Sequence, residues 1–83
     1  MKIQVRYFAS IREAIGSSGE PLETAATSLG GLRSELIGRG GAYAECLAQG
    51  RALRMAQNQV MADEATPLLD GAEIAFFPPV TGG

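Results

Sequence analysis

The chain contains no histidine, and with it go the commonest metal ligand and the commonest general base. Its one cysteine, Cys46, has no partner for an intramolecular disulfide, which excludes a disulfide-stapled secreted scaffold. Lysine is nearly absent as well: of seven cations only Lys2 is a lysine, so lysine-linked chains of the polyubiquitin kind are disfavoured. Basic runs are missing, and nine acidic residues against seven basic ones give a net charge of −2, so the electrostatic footprint of a nucleic-acid binder is lacking. No apolar stretch approaches a membrane span, and MKIQVRYFAS alternates where a signal peptide needs an unbroken apolar run. The expectation is a soluble cytoplasmic protein with neither membrane nor nucleic acid as partner.

What is present is enough for one domain over residues 1–83. A chain of this size buries roughly 60–65% of its unfolded surface, leaving room for a single core. Ligand sites are typically cavities of about 300–1,000 Å³ built from several elements, so chemistry here is expected to need a partner. The opening residues alternate strictly: Ile3, Val5 and Tyr7 face one way and Lys2, Gln4, Arg6 and Phe8 the other, the period of a half-buried strand over residues 2–9. Ser10-Ile11-Arg12-Glu13 has the form of a capping box, predicting a short helix closed by Gly16. A weaker strand follows over residues 20–26.

Thr27 or Ser28 can cap a second and main helix, whose stripe of Leu29, Leu32, Leu36 and Ile37 faces the sheet while Arg33, Ser34 and Glu35 lie opposite. Gly30 and Gly31 cost this helix about 1 kcal/mol each relative to alanine. Either the helix starts after them, or its first turn lies close against backbone. Further helical turns over residues 42–48 precede a hairpin around Asn58, a residue that tolerates the positive φ of a tight turn. The last strand spans Glu73 to Phe77. If it lies beside the first, Ile3, Val5, Tyr7, Ile74 and Phe76 form the helix-facing core and Phe8 and Phe77 share the other face. The order strand, helix, strand, helix, hairpin, strand describes an α+β domain with a mixed sheet and one main helix on one face.

The chain then ends Pro78-Pro79-Val80-Thr81-Gly82-Gly83. Each proline fixes φ near −65° and cannot donate to a ladder, so residues 78–83 are expected to leave the sheet as an extended tail. Fully extended, that tail reaches at most about 20 Å. Gly82 and Gly83 have no β-carbon and can thread a channel closed to other residues, delivering an α-carboxylate. Such a group is ionised at neutral pH and is a poor acyl donor. Activation as a mixed anhydride with AMP would make its carbonyl electrophilic toward a sulfur, amine or thiol nucleophile.

The stretch PLLDGAEIAFFPPVTGG, residues 67–83, together with YFASIRE, residues 7–13, resembles the molybdopterin synthase small-subunit (MoaD) family of sulfur carriers. That resemblance implies a β-grasp, ubiquitin-like fold with a flexible C-terminal tail. It implies that Gly83 is adenylated by an E1-like enzyme at the expense of ATP, then converted to a thiocarboxylate with sulfur from a donor such as a cysteine desulfurase system. Val80, Thr81 and Gly82, with Pro78 and Pro79, would insert into the large synthase subunit, in a heterotetramer of two small and two large subunits. There the sulfur passes to cyclic pyranopterin monophosphate, and two donations make the dithiolene of molybdopterin. The catalytic groups would belong to the large subunit, and this chain would bind no cofactor and no metal of its own.

Phe8 and Phe77 at the root of the tail are read as a docking patch in preference to second-layer packing. Arg12 lies near the same edge and could pair with a partner carboxylate, or be a solvated helix arginine. Cys46, flanked by Tyr43 and Leu47, reads as a structural thiol. Asp63-Glu64 lacks a third metal ligand, and Gly38-Arg39-Gly40-Gly41 fits neither dinucleotide nor P-loop patterns. Alternative readings are a thiamine-pathway sulfur carrier, a ubiquitin-like protein modifier, and a binding module whose tail has no role.

Overall fold

The computed structural model of the chain describes residues 1–79. Five strands form one sheet: β1 (Lys2–Tyr7), β2 (Gly19–Glu23), β3 (Arg54–Gln57), β4 (Val60–Ala62) and β5 (Glu73–Phe77). Three helices, α1 (Ala9–Ile15), α2 (Leu29–Ile37) and α3 (Gly41–Cys46), complete the domain. The strand order is β2-β1-β5-β3-β4. β5 runs parallel to β1, with Val5 opposite Ile74 and Tyr7 opposite Phe76, and the other pairings are antiparallel. Putting the last strand beside the first makes the mixed sheet that the order of elements implied.

Ile3, Val5, Tyr7, Ile74 and Phe76 are all buried, each at 5% exposure or less. They meet Leu29, Leu32 and Leu36 of α2, which are fully buried. Three turns follow sequence chemistry closely. Gly16 closes α1 in the left-handed region at φ 83°. Ser28 caps α2 by accepting the amide of Gly31 at 3.1 Å. Asn58 and Gln59 take φ of 51° and 68°, the double positive φ that matches the twist of a two-residue hairpin.

Gly30 and Gly31 lie inside α2, and the two glycines have different reasons. The amide of Gly30 donates to the carbonyl of Glu64 at 2.9 Å, and a β-carbon at Gly30 would stand 2.9 Å from that same oxygen. The first turn therefore lies against backbone, which only glycine permits. At Gly31 a β-carbon would make ordinary contacts at 3.4 Å.

Several elements depart from the sequence expectation. β1 stops at Tyr7, because Phe8 already turns toward the helix: its carbonyl accepts the amides of Ile11 and Arg12. α1 thus begins at Ala9, with Phe8 at the cap position and no side-chain cap, so the Ser10–Glu13 capping box does not form. β2 spans Gly19–Glu23 and is shorter than residues 20–26; beyond it Thr24 turns its hydroxyl to Glu35 at 2.6 Å. α3 covers Gly41–Cys46, ending two residues before the expected limit.

Arg33 is the largest correction. Expected on the outer side of α2, it is 5% exposed. Its guanidinium donates to the carbonyls of Leu47 at 2.8 Å, Ala48 at 2.6 Å and Arg51 at 3.2 Å, and faces Glu64 at 3.6 Å. The segment between α3 and β3 has no ladder of its own, and the arginine satisfies its carbonyls.

Candidate functional site

The site is the root of the tail, where β5 ends. Parallel pairing brings Phe76 beside Tyr7, and one residue later, on the other face of the sheet, Phe77 meets Phe8. Their rings pack edge to face with centroids 6.4 Å apart. Phe8 is 45% exposed and Phe77 half-buried, so the pair is an aromatic surface and not a second core. Strand pairing stops at Phe77, and Pro78 and Pro79 follow outside the sheet.

Register extends the apolar surface across the sheet. Ala75 lies opposite Ala56, and Ala56 opposite Met61, which places all three on the Phe77 face. Met61 is 55% exposed. With Glu73 and Gln59, Phe8, Ala75 and Phe77 line an open depression of about 420 Å³. Arg6 and Glu73 pair at 2.9 Å along its margin. Met61 was missed by sequence reasoning, although its place opposite Ala56 follows from the hairpin register once Asn58-Gln59 is taken as the turn.

Beneath this surface a polar cluster ties the sheet to α3. The Glu20 carboxylate accepts from the Tyr7 hydroxyl at 3.1 Å, the Tyr43 hydroxyl at 3.2 Å and Arg39 Nη1 at 3.0 Å. Burial works against the charge on Glu20, yet the bonds from Arg39 and the two tyrosines outweigh it and hold the carboxyl below its usual range. The Tyr7 phenol is pushed the other way, by its burial first and by Glu20 second. Arg39 also lies over the Tyr43 ring, 5.0 Å from its centroid. Tyr7 in turn stacks on Phe76 at 6.4 Å. The inner residue of each strand end is thereby fixed, and with it the direction in which Phe8 and Phe77 project.

Arg12 is exposed on α1, one turn from Phe8, whose carbonyl accepts its amide at 3.3 Å. Cys46 is buried against the core, and burial pushes its thiol above the usual range, which suits a structural thiol and not a nucleophile. Asp63 is engaged with Thr66 and the amide of Ala65, and Glu64 with Arg33. Among the described residues no group of three or more Cys, Asp or Glu side chains could hold a metal ion, and no helix is long and apolar enough to cross a membrane. Val80, Thr81, Gly82 and Gly83, the expected inserting and reacting residues, lie outside the described residues.

A mixed sheet in the order β2-β1-β5-β3-β4, with its main helix across one face and an aromatic surface where the last strand runs out, defines the β-grasp, ubiquitin-like class. Small archaeal modifier protein 1 from Methanosarcina acetivorans shares this fold, with a TM-score of 0.77 at 23% identity over 99% of this chain and 96% of that one. Residues 5–83 match the ThiS family, and the chain belongs to that family. It is 37% identical over 81 residues, 98% of this chain and 99% of the relative, to the molybdopterin synthase sulfur carrier subunit of Escherichia coli. The complex of subunits 1 and 2 of the molybdopterin-converting factor from Helicobacter pylori contains a chain that is 31% identical, with a TM-score of 0.69 and full coverage of both chains.

Proposed function

We propose that this chain is a sulfur carrier and the small subunit of a molybdopterin synthase. The observation that carries the reading is full-length similarity, at 37% identity, to a relative named for that role, in a chain whose last strand ends in an aromatic pair followed by two prolines. The Gly83 carboxylate attacks the α-phosphate of ATP on an E1-like partner and expels pyrophosphate. A persulfide from the sulfur donor then displaces AMP from the acyl carbon, and a thiol reductant cleaves the resulting acyl disulfide to leave a thiocarboxylate. Threaded into a large subunit through Gly82, Thr81 and Val80, that sulfur is donated to cyclic pyranopterin monophosphate. ATP is consumed by the activating enzyme, and this chain contributes the carrier end and the docking surface, with the acid–base groups on its partner. The likeness to a subunit seen in a two-subunit complex supports a large-subunit partner.

Full-length relatives named for molybdopterin synthase favour this reading over a thiamine-pathway carrier. The test is the intact mass of the chain incubated with its activating enzyme, ATP and a sulfur source. The expected result is a shift equal to replacing one oxygen by one sulfur, absent after deletion of Gly83, with synthase activity lost in parallel. Cofactor synthesis by the Gly83-deleted chain would sink the carrier reading. High-molecular-weight conjugates in place of a thiocarboxylate would point to a protein modifier.

A further inference from the structure

The six arginines divide into two sets. Arg6 pairs with Glu73, Arg39 with Glu20, and Arg33 is buried facing Glu64. Arg12, Arg51 and Arg54 are exposed, and among the described residues none of their guanidiniums pairs with a carboxylate. These three surround the root of the tail. Arg54 lies opposite Phe77 in register and so on the docking face. Arg51 lines, with Pro78, Ser10 and Ile11, a cleft of about 330 Å³ on the helical side of the root. Arg12 stands one turn from Phe8.

Most carboxylates lie far from the root or are already engaged. Glu23 pairs in register with Lys2, and Asp70 accepts the amide of Lys2, which puts both at the opposite end of β1 from the root. Glu35 is held near there by Thr24, whose amide donates to the carbonyl of Met1. Asp63 and Glu64, the acidic residues beside Arg54, are engaged within their own turn and with Arg33. Glu13, next to Arg12 on α1, and Glu45, which shares the surroundings of Cys46 with Arg51, are the two acidic residues left on the helical side of the root. A protein of net charge −2 thus places three unpaired cations where its tail departs.

We infer that Arg12, Arg51 and Arg54 form a cationic collar that steers the tail into the large subunit by meeting carboxylates around the mouth of its tail channel. The inference rests on the carrier reading above. Arg51 and Arg54 are its new members, and the cleft beside Pro78 extends the contact from the sheet face around to α1. Unpaired surface cations gain little within the free chain, but opposite a complementary rim they raise association rates by ten-fold to a thousand-fold at low salt. The effect fades as the screening length falls from about 10 Å at 0.1 M to about 3 Å at 1 M.

The experiment measures association of the full chain with a molybdopterin synthase large subunit from the same organism, by stopped flow, from low to high salt. For the double variant Arg51→Glu/Arg54→Glu the expected result is an association rate at least ten-fold below wild type at low salt, converging with wild type near 1 M. Lys2→Glu makes a charge reversal at the far end of the sheet and is expected to stay within two-fold. Rates for the double variant within two-fold of wild type, an equal loss in Lys2→Glu, or slowing only toward the activating enzyme would each overturn the collar. If the double variant does not fold, Arg51→Gln and Arg54→Gln are expected to show smaller losses with the same salt dependence, and salt-independent rates in both overturn it as well. The carrier reading is judged separately by whether the wild-type chain gains sulfur, so the two can fail independently.

Discussion

Replacing Glu20 tests whether the polar cluster under the tail root holds the fold together. In Glu20→Ala the Tyr7 hydroxyl, on a side chain only 1% exposed, loses the acceptor it uses at 3.1 Å. A buried hydroxyl without a partner costs about 1–3 kcal/mol. Tyr43 is only half-buried and regains water, and the Arg39 pair, 35% and 26% exposed at its two side chains, adds no more than about 1 kcal/mol after solvent screening. The sum is roughly 1–4 kcal/mol, which in a domain of this size lowers Tm by about 5–30 °C. Glu20→Gln keeps an acceptor for Tyr7 and gives up only the charge, so its loss is about 1 kcal/mol. Because the carboxyl is held below its usual range in the fold, its contribution is fully present above the unfolded value of about 4.3 and is lost as pH falls through the folded value. Thermal melts of wild type, Glu20→Gln and Glu20→Ala from pH 7 down to pH 3 are the assay. The gap between wild type and Glu20→Gln should close at the acid end. A Glu20→Ala variant melting within 2 °C of wild type at pH 7, or a gap to Glu20→Gln that widens on acidification, would refute the reasoning.

Other substitutions separate docking from folding. Phe77→Ala should weaken binding to the large subunit by ten- to hundred-fold, about 1.4–2.8 kcal/mol, in a titration at fixed salt. Met61→Ala should follow in the same direction by less, since it lies toward the edge of that surface. Gly30→Ala should destabilise by about 1–3 kcal/mol, because its new β-carbon would meet Glu64 at 2.9 Å, whereas Gly31→Ala, with ordinary contacts at 3.4 Å, should stabilise by up to about 1 kcal/mol; denaturant melts of the two will show opposite signs. Arg33→Met should cost roughly 2–4 kcal/mol by leaving the carbonyls of Leu47, Ala48 and Arg51 without their donor. Hydrogen exchange should then show loosening first between residues 47 and 53.

The strands and the tail root were legible in the sequence because they rest on local rules. Alternation of period two sets which face each residue of β1 and β5 takes, and proline's missing amide sets where pairing ends. Both operate within a few residues, so Phe8 and Phe77 could be placed together before any coordinates. Glu20 and Arg33 obey no such rule. Their partners stand 13 to 23 and 14 to 18 residues away, and a buried charge is tolerated only when those partners happen to converge. A polar residue on a helix face reads as solvated until the carbonyls it satisfies are known. The Ser10–Glu13 box failed for the converse reason. Its spacing was right, but Phe8, whose amide already donates to the carbonyl of Phe76, starts the helix with its own carbonyl earlier than the serine could.

That early start bears on function. Phe8 serves at once as the last hydrogen-bonded residue beside β5, the cap of α1 and half of the aromatic pair. Its amide donates to Phe76 and its carbonyl accepts from α1, so its backbone is fixed from both sides while its side chain gains little from the core. A residue held so firmly by its main chain can present a large apolar ring to solvent without losing its place. Pre-set anchors of this kind reduce the ordering cost of association, which is where a small surface gains affinity without greater area. Phe77 is placed the same way, by the β5 register against Arg54 and the stack of Tyr7 on Phe76 behind it. The fold thus holds the aromatic pair rigid at the point where the chain leaves the sheet, and on the carrier reading proposed above a partner engaging that pair would receive the tail from a fixed origin.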